Sequence, residues 1–527
     1  MSPRIQSTIA QGLLRRFVAS ATILLTAALG ASGCVQNQRD TPSGFIQVDI
    51  ETSPTSLDPR FATDAISSRL DELTFDALAR VDAHGVYRPS LAESIEQRSA
   101  TQLVFHLRRD ARFSDGRPVT ARDVKSTYDC VADPATGSPK RAGFAQIKNT
   151  FAIDDYTFAI ETREPYAPAL EMASLGIVPR GTTVHGSGTP PLGSGPFRVV
   201  KYIRDDRVVM ERNEYIPNAP DSIRGIVFKV VPDPTVRVLE LAEGVADLAE
   251  NNIQPDLLGY LRVRPELAIL KSAGSTYQYI IFNFRDPHLR DVRVRRAIAH
   301  AIDRDAIVKS LLRGTARAAS GMLTPENWAY AADVASYAYN PDIARRLLDE
   351  AGLAADATGR RSLKLVYKTT PEGARLAELI QAMLRRVGIE VTIRTNEWAT
   401  FYDDIQRGNF DLASMQWVGI NDPHHYYMIF DSRMTPPAGL NRGGYFNPEI
   451  DRLVEMGEVS LDPGKRRQIY ADVQKVAAGD LPYISLWWQD NIAVMTNNIH
   501  GFEAYPNGSL ASFANLTLTN GSGVPSQ

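Results

Sequence analysis

Apolar residues along this chain recur with two periods, and the chain switches between them in a regular order. FIQVDI (residues 45–50) alternates as a strand. ISSRLDELTFDALAR follows, with Ile66, Leu70, Leu73, Ala77 and Leu78 at helical spacing, which predicts one helix over 66–80. TQLVFHLR (101–108) reads as a strand. In FSDGRPVTARDV an Asp-Gly turn leads to Thr120 as a helix N-cap, and Asp123 completes a capping box. FAIDDYTFAIETRE (151–164) is two strand-like runs about Asp154 and Asp155, a hairpin signal. From about residue 60 to residue 190 the pattern is therefore that of a mixed α+β unit. GSGPFRVVKYI (193–203) then brings glycines up to a strand, and SIRGIVFKVVPDPTVRVLELAEGVADLAE (222–250) reads strand, Pro-Asp-Pro turn, helix.

A second unit begins near Thr276 with the strand TYQYIIFNF. VRRAIAHAI (294–302) is a helix, and Asp303 starts another. LKLVYKT (363–369) is a strand, after which Thr370 can cap and Pro371 can occupy the first helical position. Leu376, Leu379, Ile380, Met383 and Val387 make one apolar face, and Gly388 ends that helix. IEVTIRT (389–395), a helix across TFYDDIQRG, and FDLASMQW (410–417) continue the alternation, which implies a parallel sheet with helices on its faces. The loop WVGINDPHHYY (417–427) leaves the carboxyl end of that last strand, where open α/β sheets bind their ligands.

Composition narrows what such a fold is for. At 527 residues the chain exceeds one hydrophobic core. With 44% hydrophobic and 23% charged residues it is ordinary globular protein, and a net charge of −3 argues against a nucleic-acid partner. The N-terminus departs from this. Arg4, Arg15 and Arg16 precede the apolar run FVASATILLTAALG and then ASGC (31–34), the layout of a secretory signal over residues 1–33. ASGC resembles the lipobox of bacterial lipoproteins, with Ala31 where leucine is commoner, so Cys34 is the expected lipidation site. Residues 34–44 are polar and read as a tether. Cys130 is the only other cysteine, so a lipidated Cys34 leaves no internal disulfide.

Several stretches together resemble the family-5 extracellular solute-binding proteins, the dipeptide, oligopeptide and nickel receptors of bacterial ABC importers. They are TFDALARVDAHGVYRPSLAESIE, VFHLRRDARFSDGRPVTARDV, GSGPFRVVKY, VRRAIAHAIDRDAIV, NPDIARRLLDEAG, and RGNFDLASMQWVG with its following Asp-Pro. The resemblance implies an α/β, two-lobed periplasmic-binding-protein-like fold with a hinge and an extra α+β domain inserted in lobe one. By that analogy lobe one takes residues 45–275 with the insert at about 65–190, lobe two takes 276–490, and 491–527 returns to lobe one. It also implies a small solute as cargo, with peptide favoured, a lipid anchor in the cell envelope, and a membrane permease with a separate ATPase as partners. The chain itself carries no GxxxxGK[ST].

Rival chemistries find less support. There is no HExxH, no GxSxG and no cysteine beside a plausible base, so no catalytic residue is expected. The glycines of GSGPF lead into a strand, whereas a phosphate cradle needs a helix. His424 and His425 are adjacent, so they diverge and do not readily share one ion; no metal ligand and no cofactor is expected. A cleft wall suits the residue types best: Trp417 with Tyr277 and Tyr279, which share a strand face, for apolar contact, and Asn421 and Asp422 for polar cargo. Trp487 and Trp488 should face opposite sides of a strand, so one of them at most serves. Each has a plainer alternative: Asp422-Pro423 as a turn, the aromatic residues as core. In peptide-binding relatives an acid stands three residues after the tryptophan and meets the peptide's α-amino group; here that position is Ile420, which leaves chelated nickel, a sugar or an opine open beside peptide.

Overall fold

A computed structural model describes residues 41–184, 191–216, 223–251 and 253–519. The signal, Cys34, most of the tether and the last eight residues lie outside these. The architecture is two-lobed α/β. An eleven-stranded sheet runs in the order Glu390–Thr395, Lys364–Thr369, Leu412–Trp417, Leu267–Phe282, Tyr483–Thr496, Leu248–Glu250, Phe45–Ile50, Gly225–Val230, Arg207–Arg212, Phe197–Ile203, with Ala316–Ala318 paired to Tyr483–Thr496 off this path. Lys364–Thr369 pairs parallel with both of its neighbours, as the strand-helix alternation predicts. Their helices, Ala374–Arg385 and Trp398–Arg407, bury Leu376 and Ile380, and Phe401 and Ile405.

Two long antiparallel strands join the lobes. The strand expected from Thr276 starts at Leu267, and its partner Tyr483–Thr496 pairs with it through most of both lengths. The C-terminal part of the first pairs with Leu412–Trp417, and the far end of the second pairs with Leu248–Glu250. Between Ser272 and Thr276 the register slips in a bulge. Gly274 sits there because a Cβ would fall 2.1 Å from the Gln489 carbonyl oxygen.

The inserted domain has its own four-stranded antiparallel sheet, Ala92–Ser99, Gln102–Leu107, Thr157–Thr162 and Ile147–Ala152, and its own core around Phe105, Tyr128 and Phe158. The hairpin turns about Asp154 and Asp155, and helix Ala121–Ala132 carries the Thr120–Asp123 capping box. The helix expected over 66–80 is shorter. It spans Ala65–Thr74, because Ala77 bridges to Gly176 and Ala79 donates to the Ala173 carbonyl, drawing this segment into extended pairing. Gly193 and Gly195 close over that helix end, where a Cβ would come 1.8 Å from Thr74 O and 2.6 Å from Leu73 O. The glycine-rich stretch thus serves close backbone packing. The helix of lobe two starts at Ala374 behind a turn over 371–373, not at Pro371. Past the long strands, Phe502, Leu510, Phe513 and Leu516 pack into the cluster of Ile46, Val48 and Phe228.

Candidate functional site

A cavity of about 250 Å³ opens between the first lobe, the inserted domain and the loop after Trp417. Helix Ala65–Thr74 supplies Asp71 and Glu72, the insert supplies Tyr87, Lys140 and Glu171, and the loop supplies Asn421. The C-terminal segment adds Asn507 and Ser509. Helix Ala65–Thr74 is fixed by Asp64, whose carboxylate caps it through Ser67 N, and by Leu70 and Leu73 in the lobe-one core. Ser67, Asp71 and Thr74 form a buried polar row beside that apolar stripe.

Charge in the cavity is unevenly met. Glu72 accepts from Ser509 Oγ at 2.6 Å and from the Leu510 amide at 3.2 Å. Both carboxylate oxygens of Asp71 lack a hydrogen-bond partner. Burial drives Asp71 well above the carboxylate range; Lys140 opposes this, and the acids Asp58, Asp64 and Glu72 reinforce it. Burial likewise lifts Glu171 to about 7, against the pull of His424. Lys140 is pulled below the usual lysine value by burial, with Asp71 and Asp58 acting the other way.

The expected site residues separate into three groups. Asn421 faces this cavity, and its carbonyl accepts from Asn327 Nδ2 at 2.8 Å. Asp422 has another partner: it is 5% exposed, and Arg466 donates to both its oxygens, at 2.6 and 2.8 Å. It also accepts from the His424 amide at 2.8 Å, the turn bond of an Asp-Pro corner. The reading of Asp422 as a polar contact for cargo is corrected accordingly, since its lone pairs are committed inside the protein. The third group is aromatic. Tyr277 is the register partner of both Trp417 and Trp488, so the three share one sheet face, and Tyr279 stacks on Tyr277 at 5.4 Å and on Trp417 at 6.1 Å. Trp487 packs on the face opposite Trp488, as strand alternation requires, and shares its cluster with Ile484 and Leu486 across a bulge between Ser485 and Trp487. Trp488 donates to Met322 O at 3.4 Å and belongs to the core with Tyr277 and Tyr279. Neither tryptophan of that strand lines the cavity between the lobes.

The histidines diverge too. His424 Nδ1 meets Glu458 Oε2 at 2.7 Å; burial works against its charged form, but Glu458, with Glu171 and Asp422 behind it, outweighs burial and the pKa is raised. His425 stands edge-on to Trp417 at 5.7 Å, and burial drops it to about 4. A second cavity, about 210 Å³, is walled entirely by lobe-two residues, among them Tyr277, Arg304, Tyr426 and Tyr483. The space bounded by both lobes is the better candidate, because only there can a ligand tell closed from open. The sequence reading missed Asp71, Glu72, Lys140 and Glu171. The polar row of Ser67, Asp71 and Thr74 along one side of an amphipathic helix was the available signal.

These features define a two-lobed binding protein with its cavity between lobes and insert. Residues 86–435 match the bacterial extracellular solute-binding proteins, family 5 (middle), and the chain belongs to that family. It is 28% identical to a probable di/tripeptide-binding protein of Pseudomonas aeruginosa, over 89% of this chain and 92% of that one. It is 24% identical to the dipeptide-binding protein of Escherichia coli, over 96% and 98%. Among solved structures, NikA from Brucella suis in complex with Fe(III)-EDTA superposes with a TM-score of 0.81 at 24% identity, covering 91% of this chain and all of that one. AppA from Bacillus subtilis in complex with a nonapeptide does so with 0.77 at 23%, covering 90% and 99%.

Proposed function

We propose that this chain is the extracytoplasmic receptor of an ABC importer, that it captures a short peptide between its lobes, and that it acts as a binder and not a catalyst. The observation that carries the reading is the cavity shared by lobe one, the insert and Asn421, bordered by charged and amide side chains on a fold whose relatives are named for peptides. Lobe one at 45–275, lobe two at 276–490 and a return at 491–527 are the proposed divisions, and the bulge at Gly274 falls at the first boundary. Closure would then turn on the two long strands, and a permease with a separate ATPase would accept the cargo and spend the nucleotide. On the lipobox-like ASGC, attachment is assigned to Cys34, diacylated after cleavage behind Gly33.

Mass spectrometry of the protein purified under native conditions from its host tests the cargo. A co-purified peptide of a few residues is the expected result, whereas a metal chelate, sugar or opine in its place would overturn the peptide reading. In the same host a labelled fatty acid should mark the wild type and not Cys34→Ser; equal labelling of both would remove the anchor.

A further inference from the structure

We propose that the second cavity, walled by lobe two alone, is a binding site for a small carboxylate with an apolar body, and that Arg304 receives the carboxylate. The cavity measures about 210 Å³ and lies between helix Val292–Ala301, strand Ala316–Ala318, helix Pro463–Asp480 and strand Tyr483–Thr496. Small side chains hollow it out: Ala299, Ala319, Ala331 and Ala477 stand on its walls, where bulkier residues would close the space. Protein interiors seldom leave voids much larger than a water molecule, and a cavity of about 150 Å³ already admits a benzene ring. Ala335 and Ser336, both exposed, form the rim through which solvent reaches it.

Charge decides the sign of the ligand. Arg304 is the one charged residue that lines this cavity; no Asp, Glu, Lys or His stands with it. Elsewhere in the chain a buried arginine has a carboxylate at 2.6 Å: Arg60 has Asp58, Arg361 has Asp349 and Arg466 has Asp422. The one acid that acts on Arg304 is its exposed chain neighbour Asp305, which is not on the cavity wall. Burial accordingly draws the guanidinium below the usual arginine value, against Asp305 and Tyr277. Its hydrogen bonds go to the backbone: Nη1 donates to Ala319 O at 2.9 Å and Ser485 O at 3.1 Å, and Nη2 to Tyr337 O at 3.0 Å. These bonds fix the plane of the group and use three of its five N–H donors. The two left over have no acceptor among the described residues, and two such donors match the two oxygens of a carboxylate. Beside them the Tyr277 and Ser485 hydroxyls bond each other at 2.7 Å, which leaves one hydroxyl hydrogen of the pair for the same ligand. Met322, Phe430, Leu481 and Ile484 offer apolar surface that an inorganic anion would not use. Since every wall belongs to one lobe, this ligand and a cargo held between the lobes bind independently.

The test is calorimetric titration of the full-length protein with benzoate, benzamide and inorganic phosphate, on wild type, Arg304→Met and Ala335→Trp. Benzoate should bind wild type about tenfold or more tightly than benzamide or phosphate, the scale of a charged hydrogen bond. Arg304→Met should bring benzoate down to the level of benzamide. Ala335→Trp, on the exposed rim, should obstruct entry and lose benzoate while melting at the wild-type temperature; if Arg304→Met does not fold, this variant decides. Saturating L-alanyl-L-alanine should leave benzoate affinity unchanged. Benzoate binding that depends on Arg304 in a chain that does not bind dialanine would support this site and count against the peptide reading. Benzoate displaced by dialanine, equal affinity for benzoate and benzamide, unchanged benzoate binding in the folded variants, or no benzoate binding to wild type would overturn the inference.

Discussion

The Asp422 carboxylate shows how much a single partner decides. Read from the loop alone, it is a polar group free for cargo; in the fold, the Arg466 guanidinium takes both its oxygens and is itself stacked over Trp328 and Tyr470, at 5.5 and 5.3 Å. Both side chains are under a tenth exposed. Removing one charge from a buried pair strands the other, at a cost of about 3–5 kcal/mol. Asp422→Asn should therefore lower the folding free energy by about that amount in urea titrations, and any loss of cargo affinity should track the loss of fold. A variant as stable as wild type that binds cargo poorly would return Asp422 to the ligand. Asp71 is the opposite case: it is buried too, at 8% exposure, but neither of its carboxylate oxygens accepts a hydrogen bond.

At the level of elements, the sequence was most legible where each piece carries its own signals. Residues 363–417 alternate strand and helix with local periods, and they fold in the order read, with the first helix starting at Ala374 and not at Pro371. Thr120 with Asp123, and the hairpin about Asp154 and Asp155, are local in the same way. What failed were features set by distant contacts. The apolar spacing through Ala77 and Leu78 promised helix, but pairing with Gly176 and Ala173 ended it at Thr74. The cross-strand partners of the aromatic residues expected at the cleft are not visible in the sequence, so a shared, largely buried sheet face at Tyr277, Trp417 and Trp488 could not be told from a cargo wall. The long strands illustrate it best, because their meeting at the bulge depends on residues more than two hundred positions apart. There Ser275 donates to the Pro506 carbonyl at 2.7 Å and Ser272 Oγ to Ala504 O at 3.1 Å, so the C-terminal segment crosses the same place. Gly274→Ala would push a methyl into the Gln489 carbonyl, 2.1 Å away. The backbone must move to admit it, and a loss of about 1–3 kcal/mol is expected in equilibrium denaturation. A neutral result would mean that the strands part easily at this point, and the hinge would have to be sought elsewhere.

Across the whole molecule the acids outnumber the bases by three, but what governs its response to pH is where the acids lie. Asp49 is raised to about 7 by burial and by Glu240; Glu171 and Glu250 are each raised to about 7, chiefly by burial. Asp49 and Glu250 lie on paired neighbouring strands, while Glu171 sits on a helix of the insert, so additivity is expected between Glu171 and the other two. Each has a folded value above its unfolded one, so the folded chain holds a proton that the unfolded chain has released. Their contribution to stability is therefore complete below about 4 and is lost as pH rises through about 7. The paired carboxylates act the other way: the Arg293 partner Asp291 and the Lys368 partner Asp404 have lowered values, and their contribution fades only in strong acid. Between those limits the fold should be most stable on the acid side of neutrality. Thermal melts should give a higher midpoint at about pH 5.5 than at about pH 8.5, with a difference on the order of a few kcal/mol in folding free energy. Asp49→Asn, the most deeply buried of the three at 3% exposure, should flatten the dependence most. Midpoints that agree across that range, in wild type and variant alike, would mean that water reaches these carboxyls and relieves their burial.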